Sequence, residues 1–152
     1  MKKILTLCFV HDTDGRILLG LKKRGFGAGR WNGFGGKVEA GETIEDATRR
    51  ELSEETGITA HEIVPRGILH FVYRHTDTTM EVHYFSVYAY EGEPQETEEV
   101  KPQWFAPDAL PLEQMWPDDK YWMPLYLAGK SFEGEFIFSD YDTIVEHSLR
   151  EV

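Results

Sequence analysis

The apolar positions of this chain fall into short blocks whose spacing names the elements. Ile4 to Val10 reads ILTLCFV, a run of strand length, and Arg16 to Leu21 is a second. The polar stretch His11-Asp12-Thr13-Asp14-Gly15 between them predicts a hairpin. Gly67–Arg74 and Met80–Tyr90 read as longer strands, rich in β-branched and aromatic residues. Pro102–Ala106 is a short strand and Phe132–Phe138 another, while Thr143–Leu149 fits strand or helix. Six of the fourteen glycines (Gly25, Gly27, Gly29, Gly33, Gly35 and Gly36) crowd one segment, which predicts a loop. Glu91-Gly92-Glu93-Pro94 breaks the chain, and the acidic stretch to Glu99 continues as loop.

Helical spacing occurs twice. From about Thr43 to Thr56 the chain has an N-cap in Thr43, with Asp46 three residues on in a variant of the capping box. Gly57 suits the left-handed position that ends a helix. Asp118 to Ala128 is the second helix, in which Pro124 must either kink the backbone or sit in the first turn. With no repeat, linker or low-complexity tract, residues 1–152 read as a single domain of mixed α/β class.

Composition narrows the function. At 152 residues the chain can bury a proper core, and its 41% hydrophobic content is ordinary. Nine Phe, seven Tyr and four Trp exceed what such a core requires, and rings also stack on flat ligands. A net charge of -11 argues against a nucleic-acid polymer or an anionic membrane as partner. The single Cys8 cannot form an internal disulfide, which suits a reducing compartment. Met1-Lys2-Lys3 ahead of an apolar run resembles a signal peptide, but the run is short and no small-x-small site follows, so it reads as a buried first strand. No stretch is long enough to span a bilayer. A monomer in the cytoplasm is the default expectation. No His pair has the spacing of metal ligands.

At about 100° per residue, Ile44, Ala47 and Thr48 lie on one stripe of the first helix, which runs on into Glu51 and Glu55 with Glu54 beside them. A face that starts as core thus ends in three carboxylates. Anions on an inward stripe need compensation, and a hard divalent cation with oxygen ligands supplies it. Taken alone, the same residues also fit an acidic surface helix in which Arg49 and Arg50 pair with Ser53 or Glu54.

The preceding residues decide between these. Gly36 to Ile58 reads GKVEAGETIEDATRRELSEETGI. Gly36, Glu42, Arg50, Glu51, Leu52, Glu54, Glu55, Gly57 and Ile58 match every fixed position of the Nudix box, so the chain resembles the Nudix hydrolases. That resemblance implies an α/β/α sandwich around a mixed β-sheet, and a Mg²⁺ site (Mn²⁺ able to substitute) on Glu51, Glu54, Glu55, the Gly36 carbonyl and the distant Glu99. It also implies that Arg50 orients a box glutamate and that Glu42 is structural. Metals neutralise a triphosphate and lower the pKa of a bound water, and a glutamate takes the proton; the sequence leaves open which glutamate.

The likeness extends beyond the box. KKRGFGAGRWNGFGGKV from Lys22 to Val38, Met115-Trp116-Pro117-Asp118-Asp119 with Tyr121-Trp122, and the ending from Thr143 resemble the MutT-homologue oxidised purine nucleoside triphosphatases. This resemblance implies hydrolysis of 8-oxo-dGTP and 2-hydroxy-dATP to a monophosphate and pyrophosphate. Asn32, Asp118 and Asp119 would bond the base edge, and Trp116 would stack on it. Phe26, Phe71, Met80, Trp122 and Phe138 would shape the pocket, with Thr6 at its rim and Lys22 on phosphate. Three departures stand out: a first hairpin one residue longer, Tyr73 in place of Phe, and Val100 in place of Met. The last two bear on pocket size and polarity.

Asp118 and Asp119 admit two accounts. Acidic residues are favoured in a helix's first turn, where the dipole stabilises their ionised form, and Trp116 could be a core ring. Alternatively, two neighbouring carboxyls in a dry pocket share a proton and offer donor and acceptor in either order. Other Nudix substrates (ADP-ribose, a dinucleoside polyphosphate, a cap, or dNTPs in general) fit the box equally but not the WPDD segment. A non-catalytic nucleotide sensor is opposed by the intact glutamates, and a structural Ca²⁺-binding domain lacks EF-hand-like spacing.

Overall fold

A computed structural model describes all 152 residues. Strand β1 (Lys2–His11) lies at the centre of the architecture. It pairs in parallel with β6 (Thr79–Glu91) from Lys2 to Val10. A strand covered on both faces reads as a continuous apolar run, as Ile4–Val10 does. Cys8 and Val10 enter one core, while Leu5, Leu7 and Phe9 enter the other.

Strand β2 (Ile17–Lys22) forms the anticipated hairpin with β1 only at its base, through Val10–Leu18 and His11–Ile17. It then turns away to pair with β3 (Trp31–Asn32) and with β7 (Val100–Phe105). The rest of that edge of β1 is taken by β4 (Phe34–Lys37). The glycine-rich segment is therefore a loop only in its first half. Gly25, Gly27 and Gly29 have positive φ and turn the chain. Gly35 instead lies so close to β1 that a Cβ would sit 1.8 Å from the Thr6 carbonyl oxygen.

Strand β5 (Thr59–Tyr73) begins eight residues before the predicted start at Gly67, and register shifts interrupt its early pairing with β6. Strands β8 (Phe132–Asp140) and β9 (Thr143–Glu151) complete a nine-stranded mixed sheet, with β5 and β8 parallel. The ambiguous Thr143 segment is thus a strand.

Helix α1 (Ile44–Thr56) has the predicted ends. The Thr43 side chain accepts from the Asp46 N–H, and Gly57 is left-handed with φ 81°. Its Leu52 packs with Phe34, Ile58 and Phe85 in one core. Helix α2 (Asp119–Leu127) packs Trp122, Met123 and Tyr126 into the second core, with Phe9, Tyr84 and Phe132. One helix on each face gives the anticipated α/β/α sandwich. Pro124 lies inside α2 beyond its first turn, where the helix forgoes one backbone bond. No helix is long and apolar enough to cross a membrane.

Gly67 opens the parallel β5–β8 pairing opposite Phe132, and a Cβ there would lie 2.4 Å from the Phe132 carbonyl oxygen. Gly67→Ala is expected to cost about 2 kcal/mol or more, as overpacking against backbone does. A urea unfolding midpoint equal to that of the wild type would contradict this.

Candidate active site

Where β1 exchanges β2 for β4 as neighbour, the molecule has a cavity of about 460 Å³. Residues from seven strands, α1 and the start of α2 line it.

Arg50 organises the α1 side. Its guanidinium forks onto Glu42, with Nε 2.7 Å from Oε2 and Nη2 3.0 Å from Oε1. Nη2 also donates to the Lys37 carbonyl at 3.1 Å, and Nη1 to Glu51 Oε1 at 3.0 Å. This fork, helped by the Glu39 backbone N–H, pulls the Glu42 carboxyl down to about 2. Burial raises the Glu51 carboxyl despite Arg50. Glu55 is more enclosed: its Oε2 accepts from the Gly35 N–H at 3.0 Å, while burial and then the Glu51 charge push it up to about 8. The surface-helix account of these residues fails at Glu51 and Glu55, which face the cavity, and holds in part for Glu54, which is exposed and meets Arg50 at 3.4 Å.

Glu51, Glu54, Glu55, Gly36 and Glu99 all border the cavity, but the carboxylates are not drawn into one chelating cluster. Like charges repel, and the carboxylates settle on separate groups of donors: Glu51 and Glu54 on Arg50, Glu55 on the Gly35 N–H and Glu99 on Arg24. Glu99 in particular is engaged by Arg24, at 2.6 Å from Nη2 and 3.0 Å from Nε, rather than directed at the box glutamates. The donor set still suits a hard divalent cation: every candidate ligand is oxygen, and at the raised Glu51 and Glu55 carboxyls a cation would favour the ionised form. A side chain at Gly36 would fill that space, since its Cβ would lie 2.6 Å from Glu51 Oε1. Lys23 pairs with Glu96 and Arg24 with Glu99, which leaves Lys22 as the lysine bordering the cavity.

The other wall carries Asn32, Phe71, Tyr73, Met80, Tyr84, Trp116, Asp118 and Asp119. Asp118 and Asp119 are only 4% and 2% exposed. Asp118 makes no capping bond to the helix; its Oδ2 accepts from Trp122 Nε1 at 2.8 Å. Asp119 Oδ2 is buried with no hydrogen-bond partner. Burial raises both carboxyls, and the neighbouring Asp118 charge drives Asp119 further up. The pair thus stands at the start of α2, as the first-turn account has it, but withdrawn from water, as the shared-proton account requires.

Two assignments need correction. Trp122 and Phe138 do not line the cavity; both are fully buried behind it, Phe138 against Phe71 and Tyr73. Thr6 borders the cavity as expected, 1% exposed, with its hydroxyl bonded to that of Thr48. Phe26 stands half exposed, its ring 5.0 Å from that of Trp116. Asn32 Oδ1 is occupied by the Gly33 N–H at 2.8 Å. Arg30 was not foreseen. It lies over the Trp116 ring at 4.3 Å and donates to the Met115 carbonyl at 3.1 Å. Nothing in the local sequence marks it, because its partners are 85 or more positions away. Tyr84 also escaped notice, reading as an ordinary strand residue.

Comparison with known proteins agrees with this geometry. The NUDIX domain model matches residues 1–126. This chain belongs to the Nudix family. It is 54% identical over 150 residues to a zebrafish protein named oxidized purine nucleoside triphosphate hydrolase, covering 99% of this chain and 96% of that one. The mouse protein of the same name matches with the same identity and coverage. Among solved structures, a MutT protein from Bacillus halodurans superposes with a TM-score of 0.84 at 31% identity, covering 97% of each chain. Nudix hydrolases generally require a divalent metal, which accords with the oxygen donors around Gly36.

The Glu42–Arg50 fork has a pH signature. A carboxyl depressed in the folded state contributes stability above its unfolded pKa, which is lost as pH falls through the folded value. The window here runs from about 4.5 down to about 2. Glu42→Gln is expected to melt lower at pH 6 and to lose less between pH 5 and pH 3 than the wild type, by thermal melting across that range. Parallel losses in the two proteins would show that the fork carries no such linkage.

Proposed function

We propose that this chain hydrolyses oxidised purine nucleoside triphosphates, 8-oxo-dGTP and 2-hydroxy-dATP, to the monophosphate and pyrophosphate. The observation that carries this is the buried Asp118–Asp119 pair in the same cavity as the Nudix glutamates, with Asp119 Oδ2 unpartnered. The named activity of the zebrafish and mouse relatives supports it.

In this mechanism Glu51, Glu54, Glu55, the Gly36 carbonyl and Glu99, once released by Arg24, would hold Mg²⁺, with Mn²⁺ able to substitute. When bound, the cation neutralises the triphosphate and makes a water acidic enough to attack. Arg50 fixes the rotamer of Glu51, and the Gly35 N–H fixes that of Glu55. A carboxylate so oriented takes the proton of the attacking water. Lys22 faces the phosphates. At the other wall, a proton shared by Asp118 and Asp119 presents a donor and an acceptor in either order. One pocket can thereby serve oxidised G and oxidised A, whose edges differ. Asn32 keeps its amide NH₂ for the base because its oxygen is already taken. Trp116, with Arg30 over its ring and Phe26 beside it, would stack on the base, and Phe71 and Met80 fill the remaining wall. Free nucleotides in the cytoplasm, met by a monomer, are the substrate pool that fits a net charge of -11.

The test is kcat/KM on a panel of 8-oxo-dGTP, 2-hydroxy-dATP, dGTP, ADP-ribose and Ap4A with Mg²⁺. An oxidised purine is expected to lead, with pyrophosphate as product; a lead by ADP-ribose would remove the assignment. EDTA is expected to abolish turnover, and added Mg²⁺ to restore it. Glu55→Gln is expected to lower kcat at least ~10²-fold while the protein stays folded, the scale for losing a general base. Asp118→Ala is expected to bring dGTP and 8-oxo-dGTP closer in kcat/KM, and an unaltered ratio would remove its role.

A further inference from the structure

Arg66 is the one basic side chain among the buried residues, at 6% exposure, and its hydrogen bonds all go to neutral groups. A buried cation without a counter-ion is costly unless its geometry serves something else. It sits in β5 at a register shift, between the paired Pro65 and Gly67. From there its guanidinium reaches the far end of α2. Nη2 donates to the Tyr126 carbonyl at 2.6 Å and the Lys130 carbonyl at 3.1 Å, and Nη1 to Ser86 Oγ at 3.0 Å. The same guanidinium lies over the Tyr126 ring at 4.2 Å. The Tyr126 hydroxyl is 2.5 Å from Ser86 Oγ and 2.5 Å from His11 Nε2.

The last carbonyls of a helix lack partners within it, and a cation there also complements the dipole. Arg66 supplies both. Through it and Tyr126, the C-terminal end of α2 is fastened to β5, β6 and β1. One turn earlier Trp122 stacks on Phe132 at 5.4 Å and bonds Asp118. The helix has nine residues, so the grip at its C-terminal end and the Trp122–Phe132 stack together constrain its rotation and depth, and Asp118 and Asp119 stand at its start.

We propose that Arg66 is a positioning residue for base recognition: by gripping the end of α2, it sets the rotation and depth at which Asp118 and Asp119 meet the purine. This rests on the base-reading role proposed above for that pair. The phosphate end depends on α1 and Arg50, which Arg66 does not touch. Loss of Arg66 therefore acts on base discrimination and leaves the chemical step in place.

The experiment is steady-state kinetics on 8-oxo-dGTP and dGTP for Arg66→Met, Arg66→Lys and Asp119→Asn, each assayed well below its own melting temperature. Arg66→Met is expected to raise KM for 8-oxo-dGTP ~10-fold or more, the scale of remote misplacement, with kcat little changed. The preference over dGTP should narrow accordingly. Arg66→Lys keeps the charge and loses the fork, so its preference should fall between those of the wild type and Arg66→Met. Equal losses on both substrates would mark Arg66 as a general stabiliser and overturn the proposal. Should Arg66→Met not fold, Arg66→Lys decides alone: a narrowed preference supports the proposal and an unchanged one overturns it. Asp119→Asn separates the two levels. If it erases the preference and the Arg66 variants do not, only the positioning role fails; if it leaves the preference intact, the pair does not read the base.

Discussion

A carboxylate withdrawn from water must meet a cation, accept hydrogen bonds or keep its proton, and that constraint governs both walls of the cavity. On the α1 side, Arg50 spreads one guanidinium over Glu42, Glu51 and Glu54. Glu42 is thereby held fully ionised, and Glu51 is oriented without being neutralised. Glu55 receives a single backbone N–H and remains raised. Near α2 no cation bonds the pair, and burial raises both carboxyls. The same cost of burial thus shapes a region that seeks positive charge and, on the role proposed for the pair, another that would offer a neutral donor beside an acceptor. A nucleoside triphosphate carries the complement of both in one molecule.

Bringing these regions together requires backbone to approach backbone closely. Gly35 and Gly36 let β4 lie against β1 and under Glu51, where any Cβ would collide. Gly27 performs the same service for Trp116: its Cβ would come within 3.1 Å of the indole, in a backbone conformation with φ 85°. The glycine cluster is therefore not one feature. Part of it turns the chain, and part clears the space in which the glutamates and the stacking ring sit.

This division explains what the sequence could and could not disclose. Helix α1 was legible to its caps, because Thr43, Asp46 and Gly57 act over three or four residues. The glutamate face was legible only through the match to the Nudix box, since the helix alone also fits an acidic surface. The strands β3 and β4 were not, because glycine density signals a turn and is silent about close packing against Thr6. The early part of β5 was hidden by register shifts that break the alternation. Arg30 and Arg66 were missed because their partners are distant in sequence: Trp116 and Met115 for one, Tyr126 and Lys130 for the other. Trp122 and Phe138 were placed one layer too far forward. A large ring signals burial, but sequence cannot say on which side of a cavity wall it comes to rest.

The acidity of the chain, awkward for a protein that takes a polyphosphate, acquires a local resolution in this arrangement. Three consecutive bases, Lys22, Lys23 and Arg24, end β2 and open the loop that follows. The acidic stretch before β7 is laid against them, so Glu96 occupies Lys23 and Glu98 and Glu99 occupy Arg24. Lys22 alone borders the cavity, and its charge acts on Glu55 and Glu99. The excess negative charge elsewhere repels polyanions at long range, but that repulsion is screened beyond about 8 Å at physiological salt. Close to the cavity, Lys22, Arg30 and any cation that the oxygen donors would hold contribute positive potential. A small anionic nucleotide can enter such a site, while a long nucleic-acid polyanion lying across the acidic surface meets repulsion along its whole length. The global charge thus disfavours a polymer, and the local arrangement suits the nucleotide substrate proposed above.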